Sequence, residues 1–170
     1  MIENLKLLIT KSPLPSLHVF IIHFPIALLF LAFFFDIGCI VFRRRVWLDR
    51  AATALYVMGT IGAGAAYLTG RRAAAALQDL SPATESAIAD HENLAVLTLM
   101  TLSIVSLVRL TVSWFARYDR RINLGIFRLV ALPVALAGLT ILALTADRGG
   151  NLVYRHGVGV NPEVVETLER

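Results

Sequence analysis

Four apolar runs of about twenty residues each decide what this chain can fold into. They lie at about residues 17–42, 51–68, 94–115 and 126–146. A helix needs about 20 apolar residues to cross about 30 Å of hydrocarbon, and its backbone groups must bond within the segment. Outer-membrane strands are about 10 residues long and alternate in polarity. The sequence therefore predicts an all-α fold, an up-and-down bundle of four transmembrane helices.

The composition agrees with a membrane protein and excludes several other classes. Hydrophobic residues make up 57% of the chain and charged residues 16%, whereas soluble domains average about 45–50% and about 25%. The arginines form short clusters between the apolar runs, which is a membrane pattern and not a nucleic-acid-binding one. The single cysteine, Cys39, excludes a disulfide framework and a CxxC metal site.

The arginine clusters also predict the orientation of the helices. Two of the three loops are rich in arginine, at residues 43–50 and 117–128, whereas the middle loop at residues 70–93 carries more acidic than basic residues. Positively charged loops stay in the cytoplasm. We therefore expect residues 17–146 to form the bundle in a bacterial inner membrane, with both tails, 1–16 and 147–170, in the periplasm.

Two short pieces outside the spans are expected to be helical. One is residues 73–80 in the middle loop, which Ser81 and Pro82 would end. The other is residues 162–170, an amphipathic stretch with proline in its first turn. The first predicted span begins without the features of a cleaved signal peptide, so we expect it to be retained.

An ion pair within the membrane is predicted by the spacing of ionisable residues. His18 and Asp36 are 18 residues apart, and so are His91 and Arg109. Eighteen residues make five helical turns, about 27 Å, so each pair lies on one helix face with one member near each membrane surface. Because the first and third helices run in the same direction, we expect Asp36 to pair with Arg109. The alternative is that Arg109 extends alone to the cytoplasmic surface.

All four histidines fall in the outer half of the predicted bundle, and three interpretations remain open. His18, His23 and His91 are candidate ligands of a b-type haem or a chlorophyll-type pigment. A zinc or copper site is the second interpretation, and its candidate ligands are His18, His91, His156, Asp90 and Glu92. In the third, the histidines only bind carbonyls and waters.

The second helix is rich in small residues on one face. Its members are Gly59, Gly62, Ala66 and Gly70. Small residues at such spacing allow helices to approach closely. We expect this face to pack against a neighbouring helix. The same small residues would also admit a flat porphyrin, which is the alternative.

Catalysis finds little support in the sequence. No Ser/His/Asp arrangement, P-loop or HExxH motif is present, and Asp90 is interpreted as a cap or first-turn acid of the third helix. No internal repeat is evident. We expect the protein not to be an enzyme.

Several of these residues resemble a known family. The run from His18 to Leu28, HVFIIHFPIAL, resembles the "HPxxVHFPIAL" opening of a bacterial four-span membrane family known as domain of unknown function 2231. Asp36, His91, Arg109 and the tail at residues 149–160 also resemble its pattern, although Val19 stands where the family often has proline. Some members of that family are fused to, or encoded near, Rieske-type iron–sulfur domains. The resemblance implies a redox setting.

The leading functional hypothesis is therefore a small accessory subunit of a larger bioenergetic complex, photosynthetic or respiratory. Its partners would be membrane lipids and other subunits, and no nucleic acid. An electron carrier with its own b-type haem, and a metal-binding protein of the periplasmic side, are the alternatives.

Overall fold

The computed structural model describes residues 14–42, 46–115 and 124–160, and they form four long helices. These are α1 (Leu14–Val41), α2 (Val46–Ala75), α3 (Pro82–Phe115) and α4 (Leu124–Tyr154). All four are long and apolar enough to cross a membrane, and the described residues contain no strand. The predicted all-α bundle of four transmembrane helices is confirmed.

The helices are arranged in a ring. Each helix packs against its neighbours in chain order, and α4 also packs against α1. Among the described residues, α1 and α3 make no close backbone approach, and neither do α2 and α4. These two pairs therefore lie on the diagonals of the bundle, and any contact within a pair crosses the bundle axis.

The bundle has a narrow apolar core and an apolar outer surface. The core combines Leu29 and Ala32 of α1 with Leu102 and Val105 of α3, and side chains of α2 and α4 complete it. Many large apolar side chains point outwards, among them Phe20, Phe34 and Leu107. In water such a surface would drive aggregation, whereas in a bilayer the lipid chains cover it.

The start of α3 is set by a capping serine. The Ser81 hydroxyl accepts a hydrogen bond from the Thr84 amide at 3.2 Å, and Pro82 occupies the first helical position. The helix thus begins well before the apolar run at 94–115. The interpretation of Asp90 as the cap was wrong, because Asp90 lies in the third turn.

Two further predictions about the extramembrane segments need correction. Residues 73–75 are the last turn of α2, and residues 76–81 form a loop in which Asp79 adopts a φ of 53°, so no separate helix spans 73–80. The predicted C-terminal tail from residue 147 is helical at its start, because α4 continues through Gly149 and Gly150 to Tyr154. At its end the Gly157 amide donates to the Val153 carbonyl with Gly157 at φ 64°, a left-handed helix end that glycine favours.

Some predictions fall outside the described residues. They concern the first thirteen residues, most of the arginines of the two basic loops, and the expected helix at 162–170.

The two helical hairpins, α1–α2 and α3–α4, share one register, although no repeat is evident in the sequence. Leu29 packs against Gly59 in the first hairpin, and Leu102 packs against Gly138 in the second. By this packing, each position in α1 has its counterpart in α3 73 residues later, and each position in α2 has its counterpart in α4 79 residues later. The equivalence is one of packing and not of residue identity.

Candidate functional site

Buried polar groups occur at both ends of the bundle. We call the end with Asp36 and Arg109 the ion-pair end, and the end with His18 and His91 the histidine end. Each end takes side chains from both hairpins, so each depends on the tertiary arrangement.

The ion-pair end holds a buried guanidinium between two carboxylates. Arg109 Nη1 lies 2.7 Å from Asp36 Oδ1, and Arg109 Nη2 lies 3.6 Å from Asp49 Oδ1. The Arg109 side chain is not extended to a membrane surface, because only 1% of the residue is exposed. The predicted pair between α1 and α3 is therefore present in the structure, and Asp49 of α2 is a second acid that the spacing did not reveal.

Tyr56 completes this cluster from α2. Its ring lies under the guanidinium, with Arg109 Cζ 5.1 Å from the ring centroid, a cation–π distance. The cluster is therefore held by charge and by the aromatic face, and it is sensitive to loss of either charge.

His18 of α1 is held by α2 at the histidine end. Its Nδ1 lies 2.9 Å from the Ala66 carbonyl oxygen. A carbonyl can only accept, so Nδ1 carries a proton and donates it, which in the neutral ring leaves Nε2 with a free lone pair. The ring lies against Gly70, where an added Cβ would come within 2.9 Å of His18 Cε1. Gly70 thus provides the space for this imidazole.

His91 of α3 is held by α4 in the same way. Its Nδ1 donates to the Thr145 carbonyl over 3.0 Å, and a Cβ at Gly149 would lie 3.1 Å from His91 Cε1. In each hairpin the histidine binds one carbonyl and packs against the glycine four residues further on. Gly149 thus makes room for His91 where α4 continues into the predicted tail.

The two histidines lie at the same level of the bundle. Tyr67 of α2 donates to Glu92 of α3 over 3.3 Å, and Arg71 pairs with Glu92 at 3.2 Å. These bonds place Ala66 and Gly70, against which His18 packs, at the same height along the bundle axis as His91. The structure brings together two imidazoles from diagonal helices, each with Nδ1 bonded to a carbonyl.

The other two histidines do not join this pair. His23 Nδ1 donates to the Val19 carbonyl of its own helix over 2.7 Å, and the side chain is exposed. His23 points away from His18, because five residues turn it about 140° around the helix. His156 lies 3.3 Å from the Thr84 hydroxyl.

The five residues of the predicted zinc or copper site are not assembled into one centre. Within the described part of the chain, no three His, Cys, Asp or Glu side chains are placed to hold a metal ion. Glu92 binds Arg71 and Tyr67, and His156 binds Thr84. Asp90 lines a separate pocket with His156.

The predicted small-residue face of α2 packs against α1. An added Cβ at Gly59 would lie 2.7 Å from Leu29 Cγ, and one at Gly62 would lie 3.4 Å from Pro25 Cδ. Ala66 is buried and offers its carbonyl to His18. Helix α1 runs on through Pro25, since the space left by Gly62 accommodates the proline ring.

Hydroxyl groups add hydrogen bonds between helices that the sequence reasoning missed. Thr60 of α2 and Ser106 of α3 are 2.8 Å apart, and Thr98 of α3 and Thr145 of α4 are also 2.8 Å apart. No sequence signal marks Asp49, Tyr56 and Thr145, because the register that the hairpins share is one of packing and not of residue identity.

A family profile described as "Predicted membrane protein (DUF2231)" matches residues 14–162. The chain belongs to this family. The match covers all four helices of this DUF2231 protein, including both ends of the bundle, and confirms the resemblance seen in the sequence. It is a multi-pass membrane protein whose outer surface contacts lipid. No curated protein and no solved structure matches the chain.

Proposed function

We propose that this protein is a membrane electron carrier in which His18 and His91 hold a b-type haem. The observation that carries the proposal is the pair of Nδ1-to-carbonyl bonds, 2.9 Å and 3.0 Å long, on two diagonal helices at one level. Histidines that ligate metals nearly always donate their other ring nitrogen to a carbonyl, carboxylate or water, which fixes the ring and the tautomer. Here Nε2 of His18 and Nε2 of His91 would hold the haem iron.

Two glycines support the orientation of the imidazoles. A Cβ at Gly70 would come within 2.9 Å of the His18 ring, and one at Gly149 within 3.1 Å of the His91 ring, so both positions leave room for the ring. Histidines on facing helices of a bundle are a common way to ligate haem. The chemistry supplied by such a group is one-electron transfer, and in this proposal the protein is not an enzyme.

The setting we propose is a subunit of a photosynthetic or respiratory complex in a bacterial inner membrane. The arginine-rich loops at residues 43–50 and 117–128 support a cytoplasmic ion-pair end, which would place the histidine end and both termini on the periplasmic side. The accessory-subunit hypothesis and the electron-carrier hypothesis then describe one role, in which the protein passes electrons to its neighbours.

The test is a reduced-minus-oxidised absorption spectrum of the full chain purified from membranes. We expect b-type haem bands in the wild type and their loss in His18→Ala and His91→Ala. His23→Ala is the matched control, because His23 also bonds a carbonyl but is exposed on the outside of α1.

Two outcomes would contradict the proposal. One is the absence of haem bands from protein isolated with its native membrane partners. The other is the spectrum of a chlorophyll-type pigment in their place. Loss of the bands in His23→Ala to the same extent would show that the assignment of ligands is wrong.

A further inference from the structure

A small pocket at the histidine end, separate from the histidine pair, has the character of an anion site. It has a volume of about 150 Å³ and lies between the first turns of α3 and the end of α4. Its lining residues are Ala87, Asp90, Arg148, Asn151, Arg155 and His156.

The pocket is more basic than acidic. Two guanidinium groups line it, against one carboxylate, that of Asp90. In the part of the chain that the structure describes, neither Arg148 nor Arg155 makes an ion pair. Both residues are exposed, so a ligand that carries negative charge can reach their guanidinium groups.

The backbone holds the basic groups on one side of α4. Asn151 follows Arg148 by three residues and Arg155 follows it by seven, so the three side chains share one helix face. The Arg155 amide still donates to the Asn151 carbonyl at 2.9 Å. The contact of His156 with Thr84 then fixes the pocket wall against α3.

The position of the pocket along α4 points to the surface of the bilayer. No charged residue occurs between residues 129 and 146, and Asp147 and Arg148 are the first charges beyond this apolar stretch. Charged side chains at this point of a transmembrane helix lie at the level of the lipid headgroups. On the matrix or cytoplasmic side of membranes, basic pockets between transmembrane helices bind anionic headgroups. The same charge attraction acts on an anionic headgroup in the outer leaflet.

The pocket has room for a phosphate group. Its volume of about 150 Å³ is well above the roughly 10–15 Å³ of the same measure that a single water needs. Arginine binds phosphate oxygens through two parallel N–H donors. We propose that this pocket binds the phosphate of an anionic lipid headgroup, held chiefly by Arg148 and Arg155.

The test measures lipid binding to the full chain in detergent by native mass spectrometry. The probes are phosphatidylglycerol, zwitterionic phosphatidylcholine and inorganic phosphate. We expect phosphatidylglycerol to be retained in preference to phosphatidylcholine. In Arg148→Gln and Arg155→Gln, its affinity should fall about tenfold, since each change removes a hydrogen bond between charged groups.

Two further variants separate the pocket from general charge and folding effects. Arg72→Gln removes an exposed arginine of α2 that does not line the pocket, and it should leave the affinity unchanged. Asp90→Asn removes the carboxylate that opposes the ligand and should raise the affinity, a gain that misfolding cannot produce.

The proposal is overturned if phosphatidylglycerol shows no preference over phosphatidylcholine, or if Arg72→Gln weakens binding as much as Arg148→Gln. Binding of inorganic phosphate alone, with no preference among lipids, would overturn the lipid as the occupant. The proposal does not depend on the haem, because the pocket variants keep His18 and His91.

Discussion

The two helical hairpins share the contacts that set the spacing of their helices, but they differ in the side chains that meet at the bundle axis. In both, a leucine packs on a glycine, and a histidine bonds a carbonyl of the neighbouring helix. At the ion-pair end, however, Asp36 of the first hairpin stands opposite Arg109 of the second. Equivalent positions near the axis face each other, so like charges there would repel, whereas opposite charges bind the hairpins together.

The same difference extends to the size of the side chains. Tyr56 of α2 is fully buried against Arg109, and its counterpart in α4 by register is Ala135. One large and one small side chain fill the space between two equivalent helix faces. The hairpins are therefore complementary in charge and volume, and a bundle of two identical hairpins would lose both features.

The largest expected effect comes from breaking the charge complementarity. Arg109→Leu would leave Asp36 and Asp49 buried without their cation, and loss of one partner of a buried ion pair costs about 3–5 kcal/mol. We expect a fall of that size in the free energy of unfolding, measured by thermal or denaturant unfolding in detergent. Asp36→Asn should cost less, because Asp49 still lies 3.6 Å from the guanidinium.

The control for this pair of variants is Arg72→Gln, which changes an exposed arginine and should stay within about 0.5 kcal/mol of the wild type. An unfolding free energy for Arg109→Leu close to that of the control would show that the hairpins do not depend on opposite charges.

The second effect compares the two leucine–glycine contacts. A Cβ at Gly59 would lie 2.7 Å from Leu29 Cγ, whereas one at Gly138 would lie 3.3 Å from Leu102 Cδ2. Overpacking costs about 1–3 kcal/mol, so Gly59→Ala should destabilise the protein by that amount and Gly138→Ala by less. Unfolding in detergent measures both.

Gly64→Ala is the matched control in α2, because nothing lies within 4 Å of a Cβ there. It should not destabilise the protein, since alanine favours the helix by about 1 kcal/mol over glycine. Equal losses at Gly59 and Gly138 would mean that the first hairpin is not the tighter one.

The third effect concerns the glycines that support the imidazoles. Gly70→Ala should push the His18 ring away from the Ala66 carbonyl, and Gly149→Ala should push the His91 ring away from the Thr145 carbonyl. Each change weakens a hydrogen bond and should lower the free energy of unfolding by about 1 kcal/mol. The 15N NMR signal of each Nδ1 reports whether the ring still donates. Gly70→Ala should have the larger effect, because its Cβ would lie 2.9 Å from the ring and not 3.1 Å.

Gly150→Ala, with nothing within 4 Å of its Cβ, should leave both Nδ1 signals unchanged. If Gly70→Ala also left them unchanged, the glycines would not be what holds the histidines in place.

The smallest effect is at a position where the hairpins differ in hydrogen bonding. Thr98 bonds the Thr145 hydroxyl at 2.8 Å, whereas its counterpart in α1 is Pro25, which has no hydroxyl. Side-chain hydrogen bonds between transmembrane helices contribute about 0.6 kcal/mol on average, so Thr98→Val should lower the unfolding free energy by about that much. Thr111→Val, which loses only a bond within its own helix, is the control and should cost no more than Thr98→Val.

Much of the fold follows from the sequence by local arguments. The four spans were predicted because their length must match the thickness of the hydrocarbon, which is a property of each segment alone. The pairing of Asp36 with Arg109 followed from helical periodicity and from the common direction of α1 and α3. The face formed by Gly59, Gly62, Ala66 and Gly70 was predicted to be a packing surface because small residues at that spacing allow helices to approach closely.

Only the tertiary structure decided which side chains meet. Asp49 and Tyr56 join Arg109, and His23 turns away from His18, because the rotation of each helix depends on how all four pack. Gly149 and Gly150 read as the start of a tail, since glycine is a poor helix former. The helix continues there because Gly149 leaves the space that His91 fills, and a packing contact with another helix outweighs a local propensity.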